Sequence, residues 1–357
     1  MTHQPLTQDS ARPWAPDGEA VVDLAGPVDL PRTLGIIQRG SGDPAFRVDP
    51  GVWRGGAAGT SGAGAWACFR MWSPQSSREL GQVLLRLDQL DVSRVRAGLW
   101  CAGVEASSEE LATAALDRVP ALLGAEDEGW EDFDLLLDAL GDDQSTALAR
   151  IRRRHPGVRL PATGQLLDQL VTVTLEQKVT HGQARHGWRE LLRRHGERPP
   201  GPAPDWMRLP LTGEQLRRIP SWRWHQMWVQ PPMAATVLRI VERASALHRL
   251  AACPGDAASL EDLQSRLTAI SGVGVWTVAE TLQRTHGAAD LPAVGDYHLP
   301  ALVGEALTGS RTDDAGMLRI LEPWRGHRQR VVRLIRLSGY RHQTFGPRLS
   351  PADHRGR

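Results

Sequence analysis

The chain has only three cysteines and a single lysine among its 357 residues. Cys68, Cys101 and Cys253 lie far apart, which excludes a disulfide framework and any zinc site or iron–sulfur cluster that needs four cysteines. We interpret them as ordinary buried thiols. No apolar run approaches the roughly 18 residues that a membrane span needs, and the first residues lack the basic-then-apolar pattern of a secretory signal. The sequence therefore predicts a cytoplasmic protein with no membrane partner.

Charge is present in both signs but is divided unevenly along the chain. Residues 1–150 hold 12 basic and 23 acidic residues, whereas residues 151–357 hold 30 basic and 18 acidic residues. The basic second part predicts a polyanionic partner, with a solvated arginine-rich surface as the alternative. Because 41% of the residues are hydrophobic and 23% charged, global disorder is excluded. The length predicts about two or three domains.

Short apolar runs alternate with glycine-rich breaks in the first part of the chain. This pattern predicts a small α+β domain over residues 18–125, after a disordered lead-in over residues 1–17. Residues 55–64 predict a hairpin-type loop, and the apolar spacing over residues 76–90 predicts a helix. Three runs predict strands: EAVVDLAG, AFRVDPGVWRG and GAWACFRMW.

The second part has helical spacing almost throughout and predicts a helical core over residues 126–346. Its first segment, residues 126–143, is strongly acidic and predicts a surface helix with its loops, or a hinge. The proline-rich segment ERPPGPAPDW predicts a loop. Thr212 and Ser259 are predicted N-caps of later helices. Residues 347–357 are predicted to be a flexible tail.

The segment from Leu267 to Gln283, LTAISGVGVWTVAETLQ, predicts two helices joined by a tight turn. The glycines of its G-x-G let the backbone turn sharply and bring its amides against a phosphate. The second helix directs its N-terminal amides and positive dipole end at the same anion. Such a hairpin holds a DNA backbone without reading its sequence. A plain helix corner with glycine as the C-cap is the alternative.

The pattern L-x-x-I-x-G-V-G-x-W-T resembles the helix-hairpin-helix of the DNA glycosylase superfamily, and most closely its 3-methyladenine DNA glycosylase II branch. Residues 294–307, 175–196 and 321–335 resemble the family's aspartate segment, its helix with an invading loop residue, and its closing segment. The resemblance implies a mostly α fold, a glycosylase core of two helical subdomains with the helix-hairpin-helix at residues 267–283, preceded by the small α+β domain. The activity it implies is hydrolysis of the N-glycosidic bond of alkylated purines in duplex DNA by base flipping.

Asp296 lies where the resemblance places the catalytic aspartate, 22 residues after Gly274. An aspartate before an apolar helical run is ordinarily an N-cap. The two roles are compatible, because capping fixes the direction of the carboxylate. The resemblance implies that this carboxylate stabilises the positive charge that builds on the sugar and orients the attacking water. The hairpin residues that it implies for anchoring the DNA backbone are Gly272, Val273, Gly274, Trp276 and Thr277.

Trp276 occupies the hairpin position at which strand-cutting relatives carry a lysine that forms a Schiff base with the sugar. The only lysine of this chain, Lys178, lies in a different segment. The resemblance therefore implies a monofunctional enzyme that releases the base without a lyase step. An indole can also stack on an electron-poor alkylated base through cation–π attraction. We predict that Trp276 forms a wall of the base pocket, with a core tryptophan as the alternative.

Three further aromatic residues are candidates for the same pocket. Trp222 and Trp224 belong to the aromatic run PSWRWHQMWV, and Tyr297 follows Asp296 directly. Aromatic faces suit flipped bases. Packing between helices is the alternative for the tryptophans.

Gln177, Lys178 and Val179 lie where the resemblance places the loop that pushes a side chain into the DNA. A plug of this kind offsets part of the few kcal/mol that unstacking a nucleotide costs. These three residues are therefore the candidates for intercalation. For Gln177 the alternative is a hydrogen bond to backbone.

The histidines predict no catalytic metal, because His181 and His186 are five residues apart and lack an acidic partner. We predict no cofactor, apart from the monovalent cation that hairpin carbonyls of this family often bind. The predicted partner is double-stranded DNA with damaged bases, and the predicted state is a nucleoid-associated monomer. Two other functions stay open. One is a non-catalytic DNA-binding or damage-sensing hairpin protein, which would not need Asp296, and the other is a monofunctional glycosylase for oxidised purines.

Overall fold

The computed structural model describes residues 15–53 and 60–341. Most of the predicted lead-in, part of the predicted 55–64 loop and the predicted tail lie outside these residues. The strands are β1 (Gly18–Asp23), β2 (Phe46–Asp49), β3 (Val52–Trp53), β4 (Thr60–Ser61), β5 (Gly64–Trp72), β6 (Glu79–Gln89) and β7 (Arg94–Gly103). The first helices are α1 (Leu30–Leu34), α2 (Ser108–Leu116), α3 (Val119–Leu122), α4 (Gly129–Leu140) and α5 (Asp143–Arg154).

The remaining described elements are helical. They are α6 (Leu166–Thr174), α7 (His181–His195), α8 (Gly213–Arg217), α9 (Ser221–Gln226), α10 (Pro231–Val241), α11 (Ala244–Leu250), α12 (Ala257–Thr268), α13 (Val275–Thr285), α14 (Leu299–Thr308), α15 (Asp314–Leu321), a 3₁₀ turn (Glu322–Trp324) and α16 (Arg328–Leu337). The predicted class, mostly α with a small α+β part first, is confirmed. Within the described residues, no helix is long and apolar enough to cross a bilayer.

Five strands form one antiparallel sheet in the order β1-β7-β6-β5-β2. The three runs predicted as strands form β1, β2 with β3, and β5. Strands β3 and β4 pair separately as a short hairpin. Helix α2 packs across β7, β6 and β1, so one face of the sheet closes a hydrophobic core of its own.

The helix predicted over residues 76–90 is wrong, because most of this segment is the sheet's central strand β6. Val83, Leu85 and Leu87 face the core beneath the sheet. Leu84, paired across the strands with Cys68, faces the helical part instead. Since both faces of β6 are covered, its apolar residues form a nearly continuous run that imitates helical spacing.

The helical part contains two hydrophobic cores. One is built mainly by α6 to α13 and receives Cys68 and Leu84 from the sheet. The other is built by α4, α5 and α14 to α16. Helix α13 contributes Val278 and Leu282 to the first core and Ala279 to the second. The second helix of the predicted hairpin therefore lies at the junction of the two helical subdomains.

Side-chain caps start several of these helices. Thr212 caps α8 as predicted and forms a reciprocal capping box with Gln215. The cap predicted at Ser259 is wrong, because Asp256 caps α12 by accepting a hydrogen bond from the Ser259 amide at 3.0 Å. The helix starts at Ala257, so Ser259 lies in its first turn and its own amide is the one that Asp256 satisfies.

Buried charges fix the sheet to the helical part. Arg70 on β5 donates to Glu79 at 2.5 Å, to Glu197 at 2.7 Å and to the carbonyl of Pro210 at 3.1 Å. Burial raises the pKa of Asp43, whose carboxylate accepts a bond from the Trp188 indole at 3.0 Å. Because a buried charge is tolerated only when it has such partners, these contacts specify how the sheet docks.

A cavity of about 70 Å³ lies between the sheet and helices α6 and α7. Cys68 and Phe69 line it from the sheet, and Asp168 and Trp188 line it from the helices. Burial raises the pKa of Asp168 to about 7. The folded protein therefore holds a proton on Asp168 at pH values where the unfolded chain has lost it.

We expect Asp168→Asn to stabilise the protein at neutral pH. The wild-type free energy of unfolding falls as pH rises from about 4 to about 7, because only the folded state binds this proton there, and is level above. The melting-temperature advantage of the variant should grow over the same interval, at roughly 1–2 °C for each kcal/mol. Calorimetry from pH 5 to 8 measures it, with the exposed Asp117→Asn as the control. A melting-temperature advantage that stays constant or shrinks as the pH rises would contradict the raised pKa of Asp168.

Candidate active site

The turn between α12 and α13 is a tight hairpin. The Val273 amide donates to the Ile270 carbonyl at 2.9 Å. Gly272 has φ +94°, and a Cβ there would lie 2.3 Å from Thr236 Oγ1. Gly274 has φ −94° and starts α13, and a Cβ on it would meet open space. Gly272 is therefore required by the fold, whereas Gly274 leaves an open approach to the start of α13.

Two side chains stabilise this hairpin by donating hydrogen bonds to its carbonyl groups. Arg239 Nε on α10 donates to the Ser271 carbonyl at 2.7 Å. Gln177 Nε2 donates to the Gly272 carbonyl at 3.0 Å and to Thr277 Oγ1 at 2.9 Å. No side chain caps α13, so its first amides stay available to an anion.

Asp296 lies in the loop before α14 with both carboxylate oxygens engaged. Oδ1 accepts from the amides of His298 and Leu299, each at 2.8 Å. Oδ2 accepts from Trp276 Nε1 at 3.2 Å. The first pair of bonds closes a turn just before α14, whose N-cap is His298 and not Asp296. The third bond ties the carboxylate to the hairpin helix. The structure thus brings Asp296 and Trp276 together, both half-buried.

The other predicted pocket residues are placed differently. Trp224 is 2% exposed and packs in the core of α6 to α13, which fits packing between helices rather than base stacking. Trp222 is 54% exposed, with the Arg223 guanidinium 4.3 Å above its ring. Tyr297 is 85% exposed and lies edge-on to His298. In this conformation Tyr297 lies on the surface beside Asp296.

The candidates for intercalation form the turn between α6 and α7. Gln177 donates a hydrogen bond to the backbone carbonyl of Gly272. This contact agrees with the alternative stated above, in which Gln177 bonds to backbone instead of entering the DNA. Val179 is half-buried against the helical core. Lys178 is exposed, with a left-handed φ of +53°. Of the three, Lys178 is the residue whose side chain is accessible to DNA.

We expect Gln177→Glu to loosen the hairpin, because a carboxylate cannot donate to the Gly272 carbonyl. The lost bond leaves a carboxylate facing a carbonyl oxygen, which predicts a decrease of about 1–2 kcal/mol in the free energy of unfolding and weaker binding to duplex DNA. Urea denaturation and fluorescence anisotropy measure the two effects. Gln226→Glu, the same change on an exposed residue of α9, is the control. Equal stability and equal DNA affinity of the two variants would show that Gln177 does not support the hairpin.

Sequence reasoning missed an ionic cluster behind the hairpin. Arg39 Nη1, from the first domain, donates to both oxygens of Glu176 at 3.0 Å, and Nη2 donates to Gln169. Burial lowers the pKa of Arg39, and the facing Glu176 carboxylate partly offsets this. Glu176 precedes Gln177, so the first domain supports the turn that holds the hairpin. No local pattern around Arg39 could have indicated a partner 137 residues away.

The same cluster continues along α13, one turn beyond Trp276. Glu280 pairs with Arg284 at 2.7 Å, and Arg284 Nε donates to the Ile36 carbonyl at 2.8 Å. Burial alone would raise the pKa of Glu280, but the Arg284 guanidinium holds it below its ordinary value. The hairpin helix is thereby fixed to the first domain at its far end as well.

The described residues contain no group of three histidine, cysteine or acidic side chains that could hold a metal. All three cysteines are free thiols, and burial raises the pKa of Cys101 to about 12. In the hairpin, the carbonyls of Ser271 and Gly272 already accept side-chain donors. Each of these carbonyl oxygens keeps a second lone pair, and the monovalent cation at the hairpin stays a prediction.

Comparisons with known proteins give the fold. No protein-family model matches the chain, and no curated protein matches it. The structure of a 3-methyladenine DNA glycosylase from Archaeoglobus fulgidus superposes with a TM-score of 0.64 at 14% identity, over 88% of this chain and 97% of that one.

Two further solved structures are similar. The 8-oxoguanine glycosylase/lyase of Clostridium acetobutylicum gives a TM-score of 0.59 at 8% identity, over 89% of this chain and 95% of that one. MBOgg1, solved with a low-affinity DNA ligand, gives 0.60 at 11% identity, over 90% and 95%. The structural neighbours are thus helix-hairpin-helix DNA glycosylases. They include an enzyme named for an alkylated base and an enzyme named for an oxidised base.

Proposed function

We propose that this chain, with the fold of helix-hairpin-helix DNA glycosylases, is a DNA glycosylase that removes alkylated purines of the 3-methyladenine type. One observation carries the proposal. The Asp296 carboxylate is bonded to Trp276, within the first turn of the helix whose uncapped N-terminus forms the hairpin. A helix N-terminus suited to a phosphate and a fixed carboxylate therefore lie side by side, an arrangement that supports hydrolysis of a glycosidic bond in DNA.

The reaction follows from these positions. The amides at the start of α13 hold the DNA backbone without reading sequence. The damaged nucleotide leaves the base stack, and the turn carrying Lys178 lies beside the hairpin to fill the gap. As the bond from base to sugar breaks, positive charge builds on the sugar, and the Asp296 carboxylate stabilises it. The same carboxylate orients the water that attacks C1′.

The indole of Trp276 favours an alkylated purine as the substrate. An alkylated purine that carries positive charge is attracted to an indole face, and Trp276 is half-buried next to Asp296. An indole cannot form a Schiff base, so the hairpin itself offers no primary amine for strand cleavage by that route. A monofunctional glycosylase for oxidised purines is the second candidate, favoured by the likeness to the 8-oxoguanine enzyme.

Duplexes that each contain one defined lesion separate these candidates. The rate of base release from 3-methyladenine or 7-methylguanine should exceed the rate from 8-oxoguanine, and the strand should break only after treatment with alkali. A reversed preference would replace the alkylated class with the oxidised one. Binding without release from any lesion would leave a non-catalytic, damage-sensing hairpin protein.

A further inference from the structure

Helix α6 begins inside the protein, and no side chain caps its first turn. The Gln165 amide is bonded to Thr163 Oγ1 at 3.2 Å. Within the described residues the next three amides have no acceptor, those of Leu166, Leu167 and Asp168. Leu166 and Leu167 are 1% and 3% exposed, so these donors lie away from bulk water. Together with the positive end of the α6 dipole, they make this helix start suited to an anion.

Two side chains from other elements face the start of α6 and have no partner among the described residues. His248 on α11 is 7% exposed, and its Nε2 makes no hydrogen bond there. The Arg118 guanidinium lies close to the helix start, because a Cβ on Gly164 would be 3.7 Å from its Nη1. Burial lowers the pKa of Arg118, with no carboxylate to offset the effect. Together with Trp72 and the first residues of α6, these side chains line a recess of about 10 Å³.

The recess adjoins the cavity of about 70 Å³ between the sheet and α6. Arg118, Gln165 and Asp168 line both spaces. Most of the other cavity walls are apolar, and they include Leu85 from the sheet and Leu122 from α3. Unsatisfied donors therefore lie at one end of a continuous space and apolar side chains at the other. This arrangement fits a small amphipathic molecule with a charged head and a short apolar tail.

We propose that this site binds a short-chain aliphatic carboxylate. The carboxylate oxygens accept hydrogen bonds from the α6 amides and from the Arg118 guanidinium, and His248 donates in the tautomer with a proton on Nε2. The recess holds about one water-sized group, which suits a flat carboxylate better than a tetrahedral phosphate. At about 30 Å³ for each water-sized group, the cavity holds a tail of about two or three carbons.

The titratable groups of the site are compatible with an anion at pH 6. Burial raises the pKa of Asp168 to about 7, so its carboxyl group is mostly protonated at pH 6 and is itself a donor. Burial lowers the pKa of His248 to about 4, so its imidazole is neutral at that pH. An ordinary carboxylic acid, with a pKa of about 4, is ionised.

This inference does not depend on the proposed function. The site lies at the start of α6, whereas the turn with Gln177, which supports the hairpin, follows the other end of the helix. It uses none of the residues assigned to base release. A protein without glycosylase activity could bind the carboxylate, and an active glycosylase could fail to bind it.

Calorimetric titration of the full chain at pH 6 with acetate, propionate, butyrate and hexanoate tests the proposal. The affinity should rise about fourfold for each methylene up to butyrate and not rise further at hexanoate, whose tail exceeds the cavity. Butyramide has the shape of butyrate without its charge, and it should bind at least about tenfold more weakly. Phosphate should also bind more weakly than butyrate.

Variants of the two side chains at the recess locate the binding. Arg118→Gln should lower the affinity for butyrate at least about tenfold. Arg153→Gln, the same change at an exposed arginine of α5, should leave it unchanged. His248→Phe keeps a ring against Trp72, on which His248 stacks at 3.8 Å, but removes the donor. It should also weaken butyrate binding, and thermal unfolding shows that each variant is folded.

Four results would overturn the proposal. They are an absence of saturable binding for every carboxylate of the series, an affinity that does not depend on the length of the tail, butyramide or phosphate binding as tightly as butyrate, and wild-type affinity in folded Arg118→Gln or His248→Phe. Because no DNA is present, none of these results depends on base release.

Discussion

Asp296→Asn should lower the rate of base release by about 10²–10³-fold and leave DNA binding nearly unchanged. The asparagine carbonyl can still accept from the amides of His298 and Leu299, so the turn before α14 is kept. The negative charge that stabilises the sugar is lost. The new amide group would also face the Trp276 indole N–H as a second donor. Single-turnover kinetics and fluorescence anisotropy with the same methylated duplex measure the two effects.

Asp314→Asn is the matched control for this variant. Its carboxylate accepts a bond from the Gly295 amide at 3.0 Å and so supports the same loop. We expect release by this variant to stay close to the wild-type rate. Equal losses in the two variants would indicate that the loop structure, and not the charge of Asp296, is what matters. Full activity of Asp296→Asn would remove Asp296 from the mechanism.

Gly272→Ala should weaken binding to damaged and undamaged duplex alike, by at least about tenfold, or about 1.4 kcal/mol. The φ of +94° is strained for alanine, and the new methyl group would lie 2.3 Å from Thr236 Oγ1 and 3.0 Å from Arg239 Nη2. The hairpin must therefore shift away from the residues that support it. Anisotropy titrations with both duplexes measure the loss, and urea denaturation should show lower stability as well.

Gly274→Ala is the companion variant for the hairpin. Its φ of −94° suits any residue, and its methyl group would meet no atom within 4 Å. Its stability should equal that of wild type, while its DNA affinity should fall because the methyl group crowds the approach to the amides of α13. Unchanged affinity in both variants would mean that DNA does not use this hairpin.

Local patterns were sufficient for the centre of the site. The turn from Ser271 to Gly274 needs particular backbone conformations, and such needs leave a readable signature in the sequence. Asp296 was found through its distance from Gly274, which matches the spacing of the family that the sequence resembles, and its local pattern alone indicated an N-cap. The contact between Asp296 and Trp276 follows from the packing of α13 against the loop before α14. This packing could not be predicted from the spacing of residues along the chain.

Long-range contacts account for most of what sequence reasoning missed. The cluster of Arg39, Glu176 and Glu280 joins three distant segments, and each residue taken alone looks like an ordinary surface charge. Strand β6 was taken for a helix because layers on both sides of the sheet bury its two faces. Trp224 could not be assigned to core or pocket until its neighbours were known. In each case the deciding partner is remote in the chain.

The measurement that tests the central claim most directly is chromatographic detection of free base after wild-type protein acts on methylated duplex DNA. The account predicts free 3-methyladenine, together with an intact strand that carries an abasic site. Asp296→Asn should release it far more slowly from the same DNA. Binding of the methylated duplex with no free base from wild type would contradict the account and leave a protein that only recognises damage.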